Sequence, residues 1–315
     1  MNTDTLKNAP RLLLEVPLKP IQGTRFQPTG FPDLGAATYS LNDNTPMLLV
    51  ESAQSMANRL EEVCWDNKEQ NWISALVGLP FVKSTLPDGS ETNSLMEAHR
   101  LNSPFIVNST EFEKIADEIG FKKDQPFDRD KLAGALLKFD INSLLHGIFL
   151  EKVGGVVRLP RALTSFIEAS EVSVAPSGGV KIDRVQPATS GEATPYGKAK
   201  DGYGNVPFHR DEFTGEITAY FNLDLAQIRG YRFPQEVEDL LIALALYKIR
   251  RFLRDGLRLR TACDLEPASE PRVTRPESGF ALPEIDELET DLPGLIGNAK
   301  SHFANPAVTK VVYKK

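Results

Sequence analysis

The chain has 315 residues, 41% hydrophobic and 25% charged, which is enough to bury a core as one large domain or two modest ones; no apolar run reaches membrane-spanning length. The net charge of −7 would exclude a nucleic-acid partner only if it were spread evenly. The opening MNTDTLKNAP lacks a signal peptide's apolar core, and Cys64 and Cys263 show neither metal spacing nor a disulfide framework, so a reducing, cytoplasmic setting is expected.

RLLLEVPLKPI (11–21) alternates like a strand, and GTRFQPTGFPDLG (23–35) follows as a loop. This loop sets Arg25, Phe26 and Phe31 on a backbone stiffened by Pro28 and Pro32, more than a plain surface turn needs. MLLVE (47–51) reads as a short strand or as the lead-in to a helix. From Ser52, a suitable N-cap, Ala53, Met56, Leu60, Val63 and Cys64 share one helical face. A mixed stretch with a short helix near EFEKIADEIG leads to a strong helical pattern over 128–152, weakened by Gly134 and Gly147. Residues 157–175 are β-rich. Residues 186–216 are glycine-, proline- and charge-rich, and too long for an ordinary connection. EITAYFNLDLAQI (216–228) predicts a strand, and 233–256 the best helix, opened by Pro234 and acids and closed by Gly256.

The charge then separates. KIRRFLRDGLRLR (248–260) carries six basic residues and one acid. Residues 264–291 hold nine acids against Arg272 and Arg275, so this stretch alone carries −7 and the remainder sums to zero. The proline-broken, acidic text of 264–294 predicts a poorly ordered tail. Taken together, the elements predict an α+β fold, a sheet with helices on one face.

Catalytic patterns are missing from the text. His99, His146, His209 and His302 have no partners at ligand spacing, and no GxSxG, Walker or GxGxxG motif occurs, so neither a metal, a cofactor nor an enzymatic activity is expected. In VPFHRDEF, the neighbours Arg210, Asp211 and Glu212 should alternate faces of a strand and not converge on His209. Binding chemistry is better represented. Single-stranded nucleic acid is held by arginines on phosphates, by donors at helix starts and by flat rings under bases. The chain offers Arg25 with Phe26 and Phe31, the helix start SAQSMANR, and the arginine-rich run near 258. Ser52, Ser55 and Arg59 share a helix face that could meet a phosphate. The alternative is plain N-capping by Ser52, with Arg59 paired to Glu61 or Glu62.

In this order, FQPTGFPDLGAA, LLVESAQSMANRLE, RLPRALTSFIEA, GNVPFHRDEF, AYFNLDLA and IRRFLRDGLRLRTACDLE closely resemble the Cas-seven backbone subunit of type I CRISPR effectors. The variant is the Csb-one form of subtype G, formerly subtype U. More distantly, VKIDRVQPATSGEA is similar to the "IDR" element of type III backbone subunits of the RAMP superfamily. The resemblance implies an RNA-recognition-like, ferredoxin-like βαββαβ core with a helical insertion and a β-hairpin thumb. Mapped onto the chain, this gives a palm over 11–65 and 140–263, a mostly helical insertion over 66–139, a thumb over 183–216 and an acidic, partly disordered tail over 264–315.

The same resemblance implies a non-catalytic subunit that polymerises with copies of itself along the spacer of a CRISPR RNA and presents it to target DNA. Its other partners would be the large subunit and a Cas-five/Cas-six fusion, with no membrane. The implied RNA contacts are Arg25, Phe26, Gln27, Ser52, Gln54, Ser55, Asn58, Arg59, Arg161, Lys181, Arg184, His209, Arg210, Arg258, Arg260 and Thr261. Type III relatives cut RNA with an aspartate in the loop after the first strand. Asp33 stands in that loop, but GFPDLG does not match the motif, so a metal-dependent ribonuclease is the alternative and a turn residue the expectation.

Overall fold

Alternation in RLLLEVPLKP sets the architecture: strand β1 (Arg11–Pro20) buries Leu12, Leu14, Val16 and Leu18 on one face and turns Leu13, Glu15 and Pro17 to the other. A computed structural model describes residues 3–31, 34–122, 125, 127–155, 157–181, 193–194, 197–198 and 206–314. After β1 come β2 (Thr38–Ser40), β3 (Pro46–Glu51) and helix α1 (Ala53–Glu62). Beyond a long insertion follow β4 (Leu163–Lys181), β5 (Val206–Asp224), α2 (Gln235–Asp255), β6 (Arg258–Arg260), β7 (Cys263–Pro267) and β8 (Arg272–Arg275). The main sheet runs β6-β7-β1-β5-β4-β3-β2, with β8 also paired to β1. The pairings β1–β5, β1–β7, β4–β5 and β3–β4 are all antiparallel. α1 packs against β4 and α2, so both helices cover one face.

Local chemistry explains the helix ends. The Ser52 hydroxyl accepts the Ser55 amide at 3.3 Å, capping α1. α2 opens after Pro234 with Glu236 and Glu238 in its first turn, matching the helix dipole. Two expectations shift. The pattern over 128–152 resolves into helices Arg129–Phe139 and Ile141–His146 and a strand Ile148–Leu150, because Asp140 interrupts the first and Gly147, at φ 73°, ends the second. The strand expected over 216–228 stops at Asp224, whose carboxylate accepts the Gln227 amide at 2.8 Å and caps the helix Leu225–Gly230.

β4 and β5 continue past their neighbours as a two-stranded ribbon reaching Lys181 and Val206. Of the expected thumb, only residues 193–194, 197–198 and 206–216 are described, and Arg184 lies outside the described residues. The insertion holds helices but also strands Phe81–Thr85 and Glu91–Asn93. The chain's last strand, β9 (Val308–Val312), runs parallel to the first of these.

The acidic segment requires the larger correction. It is not a loose tail: β7 and β8 join the sheet, and helix α3 (Ile285–Ala299) packs on α2 with Leu288 and Leu292 fully buried. Its acids are matched by cations distant in sequence. Arg250 meets Glu284 at 2.9 Å and Glu270 at 3.3 Å, and Arg251 lies 3.8 Å from Glu289. We expect deletion of 267–294 to abolish soluble expression, because it strips the apolar cover from α2; tighter RNA binding by a soluble, folded deletant would contradict this structural role.

A buried polar cluster lies beneath α1. Glu61 and Arg100 form a two-pronged pair at 2.6 and 2.7 Å, and Lys248 donates to the Asn142 side chain at 2.7 Å. Nearby, burial pushes the Asp140 carboxyl up to about 7, against the hydrogen bond from Ser143. The folded chain therefore holds this proton above its ordinary 3.8, and the stability it contributes at low pH is lost as pH rises toward 7. Melting curves should show wild type losing stability relative to Asp140→Asn from about pH 4 to about 7 and running parallel to it above. A difference of opposite sign, or none, would contradict the assignment. No helix among the described residues is long and apolar enough to cross a membrane.

Candidate nucleic-acid interface

The loop after β1 is held down by its backbone. Phe26 exchanges hydrogen bonds with Phe213 of β5 at 2.9 and 2.8 Å, the Gln27 amide donates to Ala262 at 2.7 Å, and Thr29 donates to Val50 at 2.8 Å. These bonds bring the loop against the end of β3, the ribbon on β5 and the β6–β7 turn. Phe26 is consequently a core residue, 1% exposed, and cannot stack on a base as expected; its ring plugs the space beneath the loop. Asp33 and the side chain of Phe31 lie outside the described residues.

Two buried carboxylates organise what remains at the surface. Glu51, at the end of β3 and 2% exposed, pairs with Arg260 and lies 3.6 Å from Arg59. Glu212 on β5, 8% exposed, meets Arg210 at 2.9 Å and Arg25 at 3.6 Å. Gln27 joins the two centres: its carbonyl accepts from Arg260 at 2.7 Å and its side-chain oxygen from Arg210 at 3.4 Å. Arg59 also donates to the Leu259 carbonyl at 2.7 Å. Four arginines from four segments thus form one row against two carboxylates, leaving an excess of positive charge.

The row is graded by exposure. Arg59 and Arg260 are each 21% exposed, Arg210 37% and Arg25 53%. At the open end, a recess of about 490 Å³ is lined by Thr24, Arg25, Glu212, Arg258, Thr261 and Asp264. Arg258 there is mostly exposed and only 3.5 Å from Asp264, a loose pair a phosphate can displace. Burial pushes the Cys263 thiol up to about 11 against the pull of Arg260, so it is un-ionised near neutral pH.

The other expected contacts are placed more widely. Ser55 and Asn58 lie on α1 and Ser52 is its N-cap; the Asn58 side-chain oxygen is buried without a partner. Arg59 pairs with neither Glu61 nor Glu62 but with Glu51. Gln54 bonds Arg161 at the start of α1, away from the recess. Lys181 ends β4 and His209 stands exposed on the ribbon. The His209 group converges in pairs, because strand positions two apart share a face: His209 with Asp211 at 3.6 Å, Arg210 with Glu212 at 2.9 Å. Sequence reasoning missed Glu51 and Glu212. The same-face spacing of Arg210 and Glu212 could have flagged the second, whereas Glu51 has no local signal.

Fold and site together define an α+β protein with an arginine row across its loop ends. Among the described residues, no group of three or more His, Cys, Asp or Glu stands where it could hold a metal ion. The family "CRISPR-associated protein GSU0053 (Cas_GSU0053)" matches residues 12–174, more than half of the sequence, and the chain belongs to that family. Among solved structures, it is similar to a chain of a "CRISPR RNA-guided surveillance complex, pre-nicking", with 12% identity, coverage of 92% of this chain and 87% of that one, and a TM-score of 0.42. It is also similar to Csc2 of Thermofilum pendens, with 9% identity, coverage of 96% and 82%, and a TM-score of 0.33. No curated protein matches.

Removing the buried carboxylate should show how far the row depends on it. Glu51→Ala leaves two poorly exposed guanidinium groups without their counter-charge and should cost about 3–5 kcal/mol, as for one partner of a buried pair. Asp264→Ala, which frees the exposed Arg258, should cost less than about 1 kcal/mol. Equal losses in denaturant titrations would contradict the central place given to Glu51.

Proposed function

We propose that this protein is a non-catalytic backbone subunit of a CRISPR interference complex that binds guide RNA by its phosphates. The observation that carries this reading is the arginine row held by Glu51 and Glu212 in a chain of a CRISPR-associated family. Phosphates on such a row gain charge-assisted hydrogen bonds without reading sequence, as a guide of any spacer requires. Copies of the chain would line up along the spacer and leave its bases free to pair with target DNA, so pairing delivers specificity.

The finer assignments belong to the same proposal. The path β1–α1–β4–β5–α2–β7, with spatial order β7-β1-β5-β4, supports a ferredoxin-like, RNA-recognition-like core. The ribbon of β4 and β5 would serve as the thumb, with Lys181, His209 and the segment containing Arg184 near the strand. The block resemblances support subtype G, in which the large subunit and the Cas-five/Cas-six fusion would be neighbours.

The structure alters which substitutions test the reading. Arg59 and Arg260 hold the fold through Glu51, so their loss confounds binding with stability. Arg25, Arg210 and Arg258 are more exposed and report on the ligand, while Arg272, on β8 beside Glu15, serves as the control. With three phosphates engaged by these arginines, affinity for labelled single-stranded oligouridine should fall with salt at a log–log slope of about −2. Each of Arg25→Ala, Arg210→Ala and Arg258→Ala should flatten that slope by about 0.7, and Arg272→Ala should leave it unchanged. A wild-type slope near zero would refute a phosphate-dominated site. Cleavage of complementary RNA by the assembled complex with magnesium would refute the non-catalytic role.

A further inference from the structure

Beside the start of α1 lies a second recess of about 640 Å³, lined by Gln54, His99, His146, Phe149, Arg158 and Arg161. A two-stranded hairpin forms its outer wall. Strand Ile148–Leu150 pairs with Val157–Leu159, burying Ile148, Leu150 and Val157 and turning the cross-strand neighbours Phe149 and Arg158 outward. The Arg158 guanidinium lies 4.4 Å from the centre of the Phe149 ring, a stacked cation–aromatic pair. The wall is held in place at Gly147, where a Cβ would stand 2.7 Å from the Leu159 carbonyl, so the two backbones touch.

The floor is polar and incompletely satisfied. Arg161 bonds Gln54, yet its Nε is buried without a partner. Burial and the neighbouring Arg100 hold this guanidinium below the usual arginine range, and an anion beside it would relieve that strain. His146 is 1% exposed, and neither ring nitrogen has a partner. Burial first, then Lys248, Arg100 and Arg161, keep its imidazole neutral, one nitrogen able to donate and the other to accept. Unpaired polar groups of this kind are costly unless a ligand completes them.

We propose that this recess seats one nucleotide of the RNA strand lying on the arginine row, its base against the Phe149–Arg158 stack and its phosphate on Arg161. The inference rests on the RNA-binding reading above and adds a pocket to it. Three observations favour a nucleotide: the volume falls in the range of small-ligand pockets, a flat platform stands next to an arginine, and Gln54 ties the recess to the helix that also carries Arg59.

The test measures oligouridine affinity at one salt concentration for wild type, Phe149→Ala, Arg158→Ala and the row variant Arg25→Ala. Thermal melts monitor folding; Phe149 and Arg158 are exposed, so their truncation should leave the melts unchanged. Phe149→Ala and Arg158→Ala should each weaken binding about tenfold, the loss typical of removing one base–aromatic stack. A strand carrying a single 2-aminopurine should be quenched by wild type and recover fluorescence with Phe149→Ala. If Arg25→Ala weakens binding while both pocket variants bind like wild type, the pocket assignment falls and the RNA-binding reading stands. If wild type binds no RNA, both fall. If adenosine monophosphate binds in a Phe149-dependent way while strand affinity is unaffected, the recess serves a free nucleotide and the proposal is overturned.

Discussion

The candidate site depends on the Glu51 carboxylate. Buried at the end of β3, it takes Arg260 from the turn after α2 and faces Arg59 from α1, so segments distant in sequence meet at one charge. A buried carboxylate without such partners would be costly, and paired guanidinium groups in turn lose their freedom to wander. Glu212 does the same for Arg210 and Arg25 two strands away in the sheet, and Gln27 couples the centres. The result is a preset row whose positive excess faces outward.

That arrangement sets what the site can and cannot do. Arginines already fixed by carboxylates and carbonyls lose little further entropy on meeting a phosphate, which favours binding. The same pairing subtracts charge: Arg59 and Arg260 act as scaffold, while Arg25, Arg210 and Arg258 keep more of their surface exposed and under the proposed reading would meet the strand. Among the acids of 264–291, Glu270, Glu284 and Glu289 face Arg250 and Arg251 and Glu266 lies 3.2 Å from Lys19, while Asp264 stands at the recess 3.5 Å from Arg258, which stays mostly exposed. The net charge of −7 and a basic interface are thus compatible within one chain.

Local rules make much of the fold legible in the sequence. The alternation of β1, the Ser52 cap of α1 and the proline-acid opening of α2 all appear as the text predicts, since each depends on neighbours a few residues away. Long-range pairing is what the text hides. The acids of 264–291 look mutually repulsive until α2 supplies their arginines, and Phe26 looks like a platform until Phe213 draws it into the core. The arginines of the site are legible by residue type and composition. Of their carboxylate partners, Glu212 is hinted at by its same-face spacing from Arg210, but Glu51 is not, because the end of a strand gives no sign of what will pack against it. The helical text of 128–152 misleads for a related reason: the period continues through Asp140 although the backbone turns there.

The most direct measurement is photo-crosslinking of 4-thiouridine RNA to the protein, with the attachment sites mapped by mass spectrometry. Crosslinks are expected on the loop around Arg25, the ribbon around Arg210, β6 and its turn around Arg258 and Thr261, and the hairpin carrying Phe149. Crosslinks concentrated on α3, or on the opposite sheet face around Glu15 and Arg272, would contradict that expectation.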